Sequence, residues 1–281
     1  MSLKTHKSPH ELRKKISTIK AIYFDLDGTL LPSDRQISAR MQTLIKKIQS
    51  QGLFVSIATG RTFRSAKPYI DCVKPNSPLI LFNGSRVVTP TGDVLSDYAL
   101  DQHIALRVID FAKSYEVVAN CYHGEDVRIE IKNHHAELFA VKDGLIQTVV
   151  DNLAELIAQK APTKLLMISD VNAMNHFEDK LRLHMQGHSV HLVRSEPELL
   201  EALQLGVSKG TALHPVAKTL GIKVDEIMVF GDGLNDREMI SEAGLGIAMG
   251  NAHQEVQKAA DFVCGKNDDE GIAIFLEQFF Y

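Results

Sequence analysis

Four short apolar stretches, each running straight into a polar cluster, constrain this chain more than any other feature. Ala21–Phe24 leads into Asp25-Leu26-Asp27-Gly28-Thr29, and Leu53–Ala58 into Thr59-Gly60-Arg61. Leu79–Phe82 leads into Asn83-Gly84, and Ile227–Phe230 into Gly231-Asp232-Gly233-Leu234-Asn235-Asp236. Apolar strands alternating with amphipathic helices imply βαβ units and a parallel sheet. In an open parallel sheet the strand C-termini share one edge, where ligands bind. Asp25, Thr59, Asn83 and Asp232 are therefore expected to converge.

Helical signals fill the gaps. Ser38 is a good N-cap for a helix to about Ser50, with Gly52 ending it. A second helix is predicted over Phe63–Val73. The texture then changes. Arg86–Val88 and Val94–Leu95 flank a Thr89-Pro90-Thr91-Gly92 turn and read as a hairpin. Helices are predicted near 101–114, 153–159 and 172–185, and strands near 117–121, 127–132, 164–169 and 190–193. After about residue 196 the first texture returns, with a helix from near Lys209 to Gly221. The expected fold is α/β: a Rossmann-like three-layer core from 19–85 and 196–281, with an α+β insertion over 86–195. The basic stretch 1–18 reads as a poorly ordered leader.

Composition narrows the function classes. Of 281 residues, 44% are hydrophobic and 23% charged, as in ordinary globular proteins. The net charge of −4 argues against nucleic acid or a membrane surface as partner. No apolar run approaches the ~20 residues of a membrane span. Cys72, Cys121 and Cys264 are too few and too scattered for a disulfide framework, and the N-terminus lacks an apolar signal core. A cytoplasmic setting is the expectation.

The clusters suggest phosphate chemistry. Asp25 and Asp27 sit two apart after an apolar strand, and two ionised carboxylates there repel unless a cation joins them. Mg²⁺ suits one or two carboxylates plus phosphate and water, and Asp232 supplies a distant third. Asp236 can hold a metal-bound water or Lys209. A carboxylate can attack phosphorus and form an acyl phosphate. Thr59, with the Gly60 amide, can bond a phosphoryl oxygen, and Lys209 can neutralise it. Each cluster alone is an ordinary turn or cap. Their joint occurrence, in order and each after a strand, carries the reading.

These same residues match a known family. Asp25-Leu26-Asp27-Gly28-Thr29-Leu30, Thr59-Gly60-Arg61, Lys209-Gly210 and Gly231-Asp232-Gly233-Leu234-Asn235-Asp236 resemble the four motifs of haloacid dehalogenase-like phosphatases. Met249-Gly250-Asn251-Ala252 through Ala259–Val263, and Asn83-Gly84, resemble the Cof-type subgroup (class IIB). The resemblance runs from about Ile19 across nearly the whole chain and is weakest in the middle. It implies Asp25 as nucleophile and Asp27 as general acid and base. It implies Mg²⁺ held by the Asp25 side chain, the Asp27 main-chain carbonyl and Asp232, with Asn235 and Asp236 in support. Thr59 and Lys209 would bind the phosphoryl group, and the insertion would be a C2-type cap. Gly233 stands where many relatives carry Asn.

The resulting expectation is a phosphoric monoester hydrolase acting on a small phosphorylated metabolite: a sugar phosphate, nucleotide or phosphorylated cofactor. A phosphotransferase or mutase of the same superfamily is one alternative, and a catalytically weak binding module another. The expected state is a monomer or homodimer. Arg61 either contacts substrate or ties down its loop, and Asn83 and Asn235 join Thr59, Gly60 and Lys209 as candidate phosphate-side groups. Asn251 either contacts phosphate or caps a helix from Ala252, capping being preferred. Arg86, Asn120, His123, Glu125 and Arg128 are candidate specificity residues, for which a solvated surface is the blander reading. Met167, Met174 and Met185 read as packing, and the paired histidines His134/His135 and His184/His188 as surface residues.

Overall fold

The structure, a computed structural model, describes residues 9–115, 117–132 and 134–280. The chain divides into two compact units. One takes the chain up to Gly60, Lys67–Ser96 and everything from Ser208 on; the other takes Arg61–Ala66 and Asp97–Val207.

The first unit is built on five parallel strands in the order Phe262–Val263, Leu245–Ala248, Ile227–Gly231, Ala21–Phe24, Phe54–Ile57. Ala21–Phe24 is buried at every position, as strands covered on both faces must be. Ala21 stands opposite Ile227 on one side and Phe54 on the other. The two ends of the chain thus share one sheet, as expected. Helix Ala39–Ser50 turns Met41, Leu44, Ile45 and Ile48 inward at three- and four-residue spacing, and Ser38 caps it by accepting from the Met41 amide. Phe230 stacks on Phe24 at 5.3 Å and meets Phe275 edge-on at 5.8 Å.

Three expectations need correction here. The third apolar stretch, Leu79–Leu81, does not extend the parallel ladder. It pairs antiparallel with Arg86–Val88 in a small three-stranded sheet, tied to the main sheet by one parallel bridge, Ala58 to Ile80. Positive φ at Phe82, Asn83 and Gly84 turns the chain back on itself there. The hairpin after it therefore belongs to the first unit, with Val87 in that unit's apolar core, and the insertion begins near Asp97 rather than 86. At its far end the insertion runs to Val207 rather than 195, because Leu199–Gln204 pairs antiparallel with both Val190–Glu196 and Lys164–Ile168. The expected leader is helical over Pro9–Ile16, with Leu12 and Ile16 buried; residues before Pro9 lie outside the described residues.

The second unit is α+β. Its six-stranded sheet runs Val190–Glu196, Leu199–Gln204, Lys164–Ile168, Val118–His123, Asp126–Ile129, Gln147–Val149. All pairs are antiparallel except the last. Helices Gln102–Ser114, Leu153–Gln159 and Val171–His184 contribute Val108, Ile157 and Phe177 to one apolar cluster with Ala119, Cys121, Leu165, Met167, Leu200 and Ala202 of the sheet. Met167, Met174 and Met185 are buried packing residues. No helix among the described residues is long and apolar enough to cross a membrane.

Candidate active site

The strand Ala21–Phe24 ends in Asp25, whose amide donates to the Phe230 carbonyl at 3.0 Å. The chain then folds over itself: the Leu30 amide bonds the Asp25 carbonyl at 3.1 Å, and Leu31 bonds Leu26 at 2.8 Å. Gly28, at φ +79°, sits at the crossing. A Cβ there would stand 2.4 Å from Asp232 Oδ2, so glycine lets the first loop meet the fourth. Thr29 completes that meeting by donating to Asp232 Oδ1 at 2.6 Å.

The second and third loops lock together through their backbones. The Thr59 amide donates to Ile80 at 2.8 Å, and the Asn83 amide to Thr59 at 3.0 Å. Phe82 and Asn83 both hold positive φ, 51° and 53°, a conformation that is strained for side-chain-bearing residues. Both are buried. Asn83 Oδ1 accepts from Asn235 Nδ2 at 3.0 Å, whereas Asn83 Nδ2 is buried with no partner. Gly60 lies beside that amide; a Cβ on it would stand 3.0 Å from Nδ2.

Lys209 lies in a turn ahead of helix Leu213–Leu220, so the helix starts later than predicted. Ser208 and Thr211 fix the turn by exchanging side-chain to amide bonds of 3.1 and 2.9 Å. The lysine is fully buried, with Nζ 2.6 Å from Asp25 Oδ1 and 2.7 Å from Asp236 Oδ1. Asp236 Oδ2 accepts from the amides of Asp232 and Gly233, both at 2.9 Å. Asp236 therefore ties the lysine to the fourth loop.

Asp25, Asp232 and Asp236 bring carboxylate oxygens within 4.8 Å of one another. One buried lysine faces three carboxylates, so negative charge is in excess. Burial pushes the Asp25 carboxyl well above the ordinary carboxylate value, with the Asp236 charge next in importance. Burial and Asp236 together push Asp232 up to about 7. Burial alone would lower Lys209, but the Asp236 and Asp25 carboxylates outweigh it and hold it above its ordinary value. A divalent cation at this place would relieve the excess. The donors are all hard oxygen, with no histidine or cysteine among them, which suits Mg²⁺.

Other expected residues fall elsewhere. The Asp27 carboxylate is 3.3 Å from Arg35 Nη2 and stands outside the three-carboxylate group. Arg35 was not foreseen; it carries no motif, and its positive φ of 59° is invisible in sequence. Arg61 belongs to the second unit, where it is buried and pairs with Asp143 at 3.2 Å. Asn251 does not cap a helix. Its Nδ2 donates to the Gly28 carbonyl at 2.8 Å and its oxygen accepts from the Asn267 amide, while His253 caps helix Gln254–Ala259.

The family model of haloacid dehalogenase-like hydrolases matches residues 22–276. The chain belongs to this family. It is 28% identical over 273 residues to the 5-amino-6-(5-phospho-D-ribitylamino)uracil phosphatase YitU of Bacillus subtilis, covering 92% of this chain and 97% of the relative. It is 30% identical over 238 residues to the HMP-PP phosphatase of Cronobacter sakazakii, covering 82% and 83%. A solved haloacid dehalogenase-like hydrolase from Bacteroides thetaiotaomicron superposes with a TM-score of 0.80 at 27% identity, over 92% of this chain and 99% of its own. The α/β fold read from the strand pattern is the family's, and the expected class of phosphoric monoester hydrolase agrees with relatives that are themselves named phosphatases.

Proposed function

We propose that this chain is a Mg²⁺-dependent phosphatase that hydrolyses a small phosphomonoester through a phosphorylated Asp25. The observation that carries the reading is the buried bridge Asp25–Lys209–Asp236 at 2.6 and 2.7 Å. It fixes one oxygen of Asp25 and engages the other in no bond of this network. A carboxylate clamped this way faces phosphorus in a defined direction, and positioning is the larger part of phosphoryl transfer.

In the first step an Asp25 oxygen forms a bond to phosphorus while the ester P–O bond breaks. The leaving oxygen takes the electron pair and a proton from Asp27. In the second step water attacks phosphorus, Asp27 takes its proton, and the Asp25–phosphorus bond breaks to release inorganic phosphate. Thr59, the Gly60 amide, Asn83 Nδ2 and Lys209 bind phosphoryl oxygens, and Asn235 holds Asn83 in place. Asp25, Asp232 and the Asp27 carbonyl would hold Mg²⁺, with Asp236 lending charge and anchoring Lys209. The cation would supply charge neutralisation between the attacking carboxylate and the phosphate dianion.

The relatives' names support a small phosphorylated metabolite as substrate. Three free cysteines suit a reducing cytoplasm, and the protein acts as a monomer or homodimer. The test is release of inorganic phosphate from a panel of metabolite esters, with Mg²⁺ and with chelator, for the wild type and Asp25→Asn. Metal-dependent turnover lost in the variant supports the assignment; turnover equal in both refutes it.

A further inference from the structure

Arg35 holds a backbone conformation that side-chain-bearing residues avoid. Its φ is +59°, in the left-handed region where Cβ crowds the following carbonyl oxygen. Glycine or asparagine takes that place at less cost. The loop around it is anchored on both sides. The Arg35 amide donates to the Pro32 carbonyl at 2.8 Å and closes a turn. Ahead of it, Ser33 donates from its amide and its hydroxyl to the two carboxylate oxygens of Asp268, at 2.7 and 2.8 Å. The Leu31 carbonyl accepts from Asn267 Nδ2 at 3.0 Å. After it, Ile37 is buried and the Ser38 hydroxyl donates to Glu270 at 2.6 Å.

The side chain that this turn presents reaches Asp27. Arg35 Nη2 donates to Asp27 Oδ1 at 3.3 Å, across eight positions of sequence. The two side chains are 29% and 35% exposed, and pairs this wet contribute little to stability. The turn therefore carries a steric cost with no matching gain for the fold, and strain of this kind collects at working sites. Asp27 is fixed from its own side as well. Its backbone bridges to Leu31, and the Gly28 carbonyl next to it accepts from Asn251 Nδ2 at 2.8 Å. Both partners thus stand on anchored backbone.

We propose that Arg35 is a positioning residue for Asp27: its guanidinium orients the carboxyl that hands a proton to the leaving oxygen. The inference rests on the phosphatase reading and adds to it a residue that lies outside the four motifs. In the step concerned the ester P–O bond breaks, its electron pair stays on the leaving oxygen, and the Asp27 proton moves onto that oxygen. A carboxyl held by nothing turns about its side-chain torsions and is aimed at that oxygen for less of the time, and misaimed reacting groups lose rate steeply. A leaving oxygen that is stable as an anion needs no proton. Reluctant leaving groups therefore depend on Arg35, and good ones do not.

The test is kcat/KM in Mg²⁺ for a series of phenyl phosphates, from the 4-nitrophenyl to the 4-methylphenyl ester. This quantity covers the steps up to departure of the phenol, and the series varies the leaving group at nearly constant shape. Arg35→Met is expected to lose about threefold or less on the 4-nitrophenyl ester and about tenfold or more on the 4-methylphenyl ester, a part of the roughly 10²–10⁴-fold that general acid catalysis supplies. Arg35→Lys, which keeps the charge, should recover part of that loss. Added to Asp27→Asn, Arg35→Met should cost less than about threefold on either ester, because residues that act as one unit are not additive. Arg35→Gly, which relieves the backbone, should melt no lower than the wild type and show the same selective loss. Equal loss on every ester, no loss on any, or a loss that persists in full beside Asp27→Asn overturns the inference. A lowered melting point with uniform slowing marks a structural role and overturns it too. A wild type that releases phosphate from none of these esters and from none of the metabolite panel defeats the phosphatase reading itself.

Discussion

Gly84 and Ser208 approach backbone to backbone: a Cβ on Gly84 would stand 2.1 Å from the Ser208 carbonyl oxygen. The contact joins the strained Asn83 turn to the turn that carries Lys209, and so sets where the buried ammonium lies. Gly84 also holds φ at +98°. Gly84→Ala is expected to lose about 1–3 kcal/mol of stability from strain and to lower kcat by shifting Lys209. Denaturant midpoints and initial rates on the same preparation would check both. A variant with normal midpoint and kcat would show that the approach is not required.

Asp25→Asn should separate stability from activity. Burial and the neighbouring Asp236 and Asp232 charges favour the neutral form of Asp25, so the amide relieves repulsion while still accepting from Lys209. The metal-free variant is expected to melt above the metal-free wild type, with kcat reduced on the order of 10⁴-fold or more. A lower melting point in chelator would contradict this electrostatic picture.

The carboxylate excess predicts a pH-dependent response to metal. Asp232 is raised from 3.8 to about 7 in the fold. Between those values the unfolded chain has ionised and the folded one retains its proton, so the group's contribution falls as pH rises through the window. Metal-free protein should therefore melt lower at pH 8 than at pH 5.5 on this account. Added Mg²⁺, which binds the ionised form, should raise the melting point more at pH 8. Equal Mg²⁺ shifts at the two pH values would count against metal binding at these carboxylates.

Glu125 caps a helix from a distance in sequence. Its two oxygens accept from the amides of Phe63 and Arg64 at 3.0 and 2.9 Å, at the start of helix Phe63–Val73. Glu125→Ala should cost about 1 kcal/mol, and Glu125→Gln, which keeps an acceptor, less. Chemical denaturation of the three proteins measures the order directly.

The half of this molecule built on the parallel sheet was legible because its signals are local. Each strand of the parallel sheet reads as a continuous apolar run, and the groups that meet beyond Phe24, Ala58 and Phe230 follow it at once. What escaped were features set by tertiary pairing. Leu199–Gln204, with Leu, Glu, Ala and Gln, has the composition of a helix yet forms a strand, because Lys164–Ile168 and Val190–Glu196 offer it partners on both sides. Helix His134–Asp143 and strand Gln147–Val149 lack a clear period and were missed as well. The exit from Leu79–Leu81 misled for another reason: positive φ at Phe82 and Asn83 reverses the chain, and although Asn83-Gly84 is a turn signal, nothing in Phe82 shows that the reversal begins one residue earlier. In the site, Thr29 and Arg35 went unread. Their bonds, to Asp232 across 203 positions and to Asp27 across eight, are matters of loop conformation.

The pairing of Ala21–Phe24 with Ile227–Gly231 also bears on how the protein is made. During synthesis the central strand has a ready neighbour in Phe54–Ile57 on one side only; its other flank stays open until some two hundred further residues have left the ribosome. Asp97–Val207, nearly contiguous, can acquire its structure in the meantime. A nascent chain halted before Ile227 would carry Asp25 without Asp232 or Asp236 to meet it.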